Sequence, residues 1–328
     1  MRTKAVATIS LSGPLALQGR QAARGLEMWA SADQIDLEIV DDAGDPATVS
    51  DVYQSWLGAG TDLLLGPYGS NLVRRVAPIT SGVGVLLWNH GGTADDLTRP
   101  FVVQIPAPAS TYFSGVVELA HRLGLRRVVL ARGTGRFAAA VAAGARERSA
   151  ELALPFRTVD LSHWSVEGPM DDTALLIVGT FTEDVALVRK VITGTRPGLL
   201  GCVAAGLLDF GDRLGSASEG IVGPTQWVSS QTTPEVGPAA SDFKLRYQRT
   251  YGESPGYTAV QAAAAGFLSA EAHRRGYDHD RVRQWQTTTL LGTFALDESW
   301  RQVGHTPITI EWRNGRQVRA KRHHWRNL

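Results

Sequence analysis

The stretch "DLLLGPYGSNLVRRVAP", residues 62–78, decides the fold. Leu63–Leu65 is a short, continuous apolar run of the kind a strand covered on both faces presents. Gly66, Pro67 and Gly69 break it at a small corner. Leu72, Val73, Val76 and Ala77 then recur at helical spacing, with Ser70 as N-cap candidate and Pro78 near the end. A buried strand, a Gly-rich corner and a helix make one unit of an α/β protein.

The same unit recurs outward in both directions. Strand candidates are "AVATISL" (5–11), "DLEIVDD" (36–42), "GVLLWN" (84–89) and "FVVQI" (101–105). Residues 20–31 read as a helix with Ala22, Leu26 and Ala30 on one face, and Asp45-Pro46 reads as the cap and first residue of another. The pattern then restarts with "RRVVLA" (126–131), "ALLIVG" (174–179), "LLGCVAA" (199–205) and "GIVGPTQW" (220–227), separated by the helical stretches 136–152 and 183–193. The last third holds two long helical patterns, 239–252 and 257–276, and a hairpin marked by Asn314-Gly315 between alternating runs. The fold class expected is α/β: two doubly wound parallel-sheet lobes joined by a hinge.

Composition narrows the function. The chain has 328 residues, 20% of them charged and 43% hydrophobic, with a net charge of +1. Near-neutrality gives no general reason to expect nucleic acid or an anionic membrane as partner. The basic tail "RAKRHHWRNL" (319–328) reads as a solvated end. Cys202 is the single cysteine, which excludes an internal disulfide and a cysteine-based metal site. No apolar run reaches the roughly 18–20 residues of a membrane span.

Catalytic motifs fare poorly. Ser70 is not in G-x-S-x-G, because Leu72 stands where the second Gly belongs. There is no phosphate loop of the G-x-x-x-x-G-K-[ST] type. "GTGRFAAA" (133–140) follows a strand and opens a helix as G-x-G-x-x-A, which keeps a nucleotide-using enzyme as one alternative. His323 and His324 are adjacent and cannot converge on one ion, Asp278, His279 and Asp280 read as a loop, and Asp41 and Asp42 read as solvated or capping. What remains is a series of Gly-, Ser- and Thr-rich corners at the carboxyl ends of strands: 12–19, 66–71, 89–97, 132–137 and 179–184. Helix N-termini and small hydroxyls in such places suit a carboxylate. Ser70 and Thr93, in successive corners, form the candidate pair.

In this order and spacing the motifs resemble the type I periplasmic binding proteins of the branched-chain amino acid family, the solute receptors of ABC importers. The resemblance rests on "ISLSGPLALQGRQAARGLEMW" (9–29), "LEIVDDAGDPATV" (37–49), "GTDLLLGPYGSNLVRRVAPI" (60–79), "GVGVLLWNHGGTADDL" (82–97) and "SEGIVGPTQW" (218–227), with "YTAVQAAAAGFLSAEAHRRG" (257–276) and "LLGTFALD" (290–297) continuing it. It implies lobes of residues 1–118 plus 238–303 and 119–237 plus 304–328, joined by three crossovers and closing over a ligand in the cleft. It implies that Ser70, Gly91 and Thr93 hold the ligand carboxylate, that Gln18 contributes from the S-G-P loop, and that Phe137, Phe181 and Tyr257 face the ligand. Tyr68, Asn89 and His90, beside these corners, complete the candidate site. The resemblance further implies a binding protein rather than an enzyme, with no cofactor or metal. Its expected partners are a small molecule and a membrane ABC permease, not nucleic acid, and it is expected to be a monomer. Location would be periplasmic or extracellular, or cytoplasmic if Met1 is the native start; a cytoplasmic ligand-sensing regulator of the same fold is the alternative.

One departure from the family bears on the ligand. Amino-acid-binding members place an acid on the far lobe to pair with the ligand ammonium, whereas Val203, Ala204 and Ala205 occupy that stretch here. A buried ammonium without an anion is costly. Unless Asp209 reaches in, the expected ligand is therefore a carboxylate with an apolar or aromatic remainder, or an amide-like molecule.

Overall fold

The computed structural model describes residues 2–165, 169–230 and 233–320. His323, His324 and most of the basic tail lie outside the described residues. The chain divides into two units, Met1–Pro108 with Ser229–His305, and Ala109–Val228 with Thr306–Leu328. It therefore passes from one unit to the other three times.

The first unit opens with β1 (Lys4–Ile9), α1 (Ala16–Asp33), β2 (Asp36–Asp41), α2 (Pro46–Gly58), β3 (Leu63–Leu65), α3 (Ser70–Gly82), β4 (Leu87–Asn89) and β5 (Val102–Gln104). Its five strands are all parallel in the order β2-β1-β3-β4-β5. Leu64 of β3 and Val6 of β1 pack under α2 and α3 with Val49, Tyr53, Leu72, Val73 and Val76, so the apolar stripes read from the sequence are the ones buried. Asp45 caps α2 by accepting from Ala47 and Thr48 N–H, with Pro46 at the first helical position.

The second unit repeats the plan with α4 (Ser114–Arg122), β6 (Arg127–Arg132), α5 (Arg136–Glu151), β7 (Phe156–Asp160), β8 (Thr173–Val178), α6 (Phe181–Ile192), β9 (Leu199–Cys202), α7 (Leu208–Leu214) and β10 (Val222–Thr225). Strands β7-β6-β8-β9-β10 are parallel and follow the same 2-1-3-4-5 order as the first sheet. The return segment belongs to the first unit: α8 (Ala240–Tyr251), α9 (Tyr257–Arg274), α10 (His279–Gln284) and the small pair β11 (Thr287–Thr289) and β12 (Gly292–Phe294). Helix α9 is buried on nearly every face and packs along α1. The chain ends back in the second unit, where β13 (Ile308–Arg313) pairs antiparallel with β10 and turns through Asn314-Gly315 into β14 (Arg316–Arg319).

Two local expectations are corrected. Asp278 does lie between helices, but His279 and Asp280 are not loop: they open α10, which the Asp278 carboxylate caps by accepting from Arg281 N–H. Asp42 is not solvated but fully buried, accepting from the Ser10 hydroxyl and, at 2.9 Å, from Gly44 N–H. With Asp41, which accepts from Leu11 and Ser12 N–H at 2.9 and 3.3 Å, it ties the loop after β1 to the loop after β2. No helix among the described residues is long and apolar enough to cross a membrane, and no group of their His, Cys, Asp and Glu side chains is placed to hold a metal ion.

Candidate functional site

In a 2-1-3-4-5 sheet the chain leaves the first strand in one direction and later strands in the other. That leaves a crevice at the carboxyl ends of the first and third strands. In the first unit these are β1 and β3, and the corner after β3 carries Ser70. Ser70 is not the N-cap of α3. Gly69 holds that position at φ 111, a conformation open to glycine, and makes no side-chain cap. Ser70 is the first helical residue, and its hydroxyl turns to the neighbouring corner. Its Oγ accepts from Thr93 N–H and Ala94 N–H, both at 3.1 Å.

That double contact brings the two predicted hydroxyl residues together. The Ser70 hydroxyl donates to no group among the described residues, and neither does that of Thr93; both residues are half-buried. The first turn of α3 has no acidic side chain, so its free N–H groups and positive dipole end are uncompensated. The corner is thus rich in donors and free of carboxylates at the helix start.

The remaining first-unit residues build the walls. Asn89 is fully buried and holds its own loop: Oδ1 accepts from Gly91 and Gly92 N–H at 3.2 and 2.7 Å, while Nδ2 donates to Gly92 O and to Gln104. Gly91 lies against Tyr68; a Cβ there would meet the Tyr68 ring at 2.6 Å and its Cα at 2.7 Å. His90 is fully buried 6.5 Å from the Tyr68 ring, with no hydrogen bond to either ring nitrogen. Burial holds its pKa down at about 4, so the ring is neutral at pH 7. Gln18 is half-buried in the first turn of α1, and Tyr257 opens α9, whose Thr258 hydroxyl donates to Gln21 of α1 at 3.1 Å.

Phe137 and Phe181 lie in the second unit, at the corners after β6 and β8. The first corner copies that of Ser70: Gly135, at φ 101, is an N-cap without a side-chain bond, and Phe137 packs edge-on against Tyr112 at 5.5 Å. Tyr112 was not singled out from the sequence. The corner before Phe181 is different in kind. Thr180 and Glu183 close a capping box, and Glu183 Oε2 accepts from Thr180 N–H and its hydroxyl, each at 2.8 Å. A carboxylate already fills that helix start.

Sequence reading also missed Asp184. It occupies a core position of α6, three, four and seven residues before Leu187, Val188 and Val191, and its place in that apolar stripe was the available clue. Its Oδ2 accepts from Ala204 N–H at 3.1 Å and from the Cys202 thiol at 3.4 Å, while Oδ1 has no partner. Burial pushes its pKa up to about 7 against the pull of those donors. The stretch 203–206 that lacks an acid of its own is thus bonded from behind by a buried one.

Residues 4–159 match the family model described as periplasmic binding protein. No curated protein sequence matches the chain at a significant level. Among solved structures, the substrate binding protein LivJ of Streptococcus pneumoniae, in complex with isoleucine, aligns with a TM-score of 0.80 at 18% identity, covering 98% of this chain and 99% of that one. The leucine binding protein LivK of Thermotoga maritima gives 0.80 at 16% identity, covering 97% and 98%. A solute binding protein of an R. palustris ABC transporter, in complex with benzoate, gives 0.77 at 17% identity, covering 97% and 95%. The chain therefore has the type I periplasmic binding protein fold, as the resemblance implied.

Proposed function

We propose that the protein is a solute-binding protein of an ABC importer that captures a small carboxylate without an α-ammonium group, such as an aromatic acid. The observation that carries this reading is the Ser70–Thr93 pair. Two hydroxyls with no acceptor among the described residues stand beside an uncapped helix start, which is a carboxylate-binding arrangement. Gly91, Tyr68 and Gln18 would line the same end of the ligand, and Phe137, Phe181 and Tyr257 its apolar remainder. Three passages between the units would serve as the hinge, and closure would favour the liganded state, each unit then supplying part of the ligand's contacts.

The choice against an amino acid rests on the second unit. Val203, Ala204 and Ala205 supply no anion, and the Asp184 carboxyl behind them is buried and already bonded to Ala204. Relatives of this fold solved with isoleucine and with benzoate make both ligand classes reasonable for the architecture. A thermal-shift screen tests the choice. Benzoate and its hydroxylated derivatives are expected to raise Tm through linkage, and leucine or isoleucine to leave it unchanged. A Tm rise with leucine or isoleucine and none with aromatic acids would overturn it.

A further inference from the structure

The amino ends of β6, β7 and β8 carry a second constellation. The register pairs Arg127 with Thr173 and Val129 with Arg157, so these four side chains project from one face of the second sheet. Trp164 and Met170 come back across that face and pack with Val129 in the core. Together these six residues line most of a cavity of about 220 Å³. At ~30 Å³ per water molecule that is room for roughly seven waters, or one small ring compound. Within this unit it lies at the opposite strand ends from the corners of Phe137 and Phe181.

Its chemistry is uneven in an informative way. The Arg127 guanidinium is engaged, donating to Thr173 Oγ1 at 2.7 Å and pairing with Asp172 at 3.2 Å. The Arg157 guanidinium is exposed and has no ion pair or hydrogen bond among the described residues. The Trp164 indole N–H is buried, in a residue only 6% exposed, and has no partner among the described residues. Lys190 Nζ fixes the Trp164 backbone by donating to its carbonyl at 3.0 Å. An apolar wall of Val129, Trp164 and Met170 thus stands beside a guanidinium that has no partner among the described residues.

We infer that this cavity is a second binding site, for a small aromatic carboxylate. The ring lies against Trp164 and Met170, and the carboxylate accepts from the Arg157 guanidinium. The guanidinium and its positive charge select an anion over its neutral amide, and the apolar wall selects a ring over a free inorganic ion.

The test uses the full chain and 2-naphthoate in equilibrium dialysis, with wild type, the double variant Ser70→Ala/Thr93→Ala, and Arg157→Glu. Binding is expected to contain a component that survives in the double variant and weakens at least tenfold in Arg157→Glu. Arg157→Lys should retain most of it, and 2-naphthamide should bind it at least tenfold more weakly. Arg157 is exposed on an edge strand, so the variants are expected to keep the wild-type Tm. Loss of all binding in the double variant, or a surviving component indifferent to Arg157, would overturn the inference. Failure of the Ser70–Thr93 reading looks different: the double variant would then bind like wild type, while the Arg157-dependent component stayed.

Discussion

The oxygen of Ser70 accepts two backbone N–H groups from the next corner, so its hydrogen is directed elsewhere. Removing it therefore has two consequences. Ser70→Ala would take away a ligand donor and also leave Thr93 and Ala94 N–H without an acceptor. Thr93→Ala would take away a donor alone. Calorimetry with the ligand identified by thermal shift should find Ser70→Ala weaker by about 2–3 kcal/mol and Thr93→Ala by about 1–2 kcal/mol. Only Ser70→Ala should also lower Tm of the unliganded protein. Gly91→Ala would drive a methyl into Tyr68 and should cost both stability and affinity. The sequence placed Ser70 and Thr93 in neighbouring corners, yet it made Ser70 the N-cap, a position that Gly69 holds. Composition says that a serine near a helix start caps it; only the backbone turn at Gly69 moves the cap one residue back and frees the side chain to point sideways.

Among the elements, the buried strands were the legible ones. Leu63–Leu65 and Thr173–Val178 are buried at every position, and their continuous apolar runs say so directly. Strand β7 went unread because Phe156–Asp160 has neither a continuous apolar run nor a regular apolar/polar alternation to mark it; Arg157 and Asp160 are exposed and the strand is nowhere fully buried. That omission hid the face on which the second cavity is built. The helix starts divide likewise. Those of α3 and α5 follow glycine caps and carry no acid, whereas α6 is closed by Thr180 and Glu183. Thr180→Ala should therefore lower the stability of the second unit by about 1 kcal/mol, read as a shifted urea midpoint.

At the scale of the whole molecule, two buried titratable groups oppose one another, one in each unit. His90 has a folded pKa of about 4 against 6.5 unfolded, so its contribution is present above pH 6.5 and is lost as pH falls through 4. Asp184 has a folded pKa of about 7 against 3.8, so its contribution is present below pH 3.8 and is lost as pH rises through 7. At about 1.4 kcal/mol per pH unit, the two gaps are each worth on the order of 3–5 kcal/mol. Between pH 4 and 6.5 the two slopes largely cancel. His90→Phe should unmask a stability that falls with rising pH, and Asp184→Asn one that rises, measured as Tm across that range; parallel profiles in both variants would refute the opposition. The order of the strands carries a last consequence, for biosynthesis. The first sheet has all its strands once Gln104 is made, although α9 comes later, but β13 and β14 complete the second only after the chain has returned through residues 229–305. Until then the backbone of β10 is a bare edge, the kind that recruits foreign strands. A ribosome that stops after His305 is thus expected to release a chain that aggregates through its second unit, and supplying the 306–320 segment in trans should reduce the sedimenting fraction.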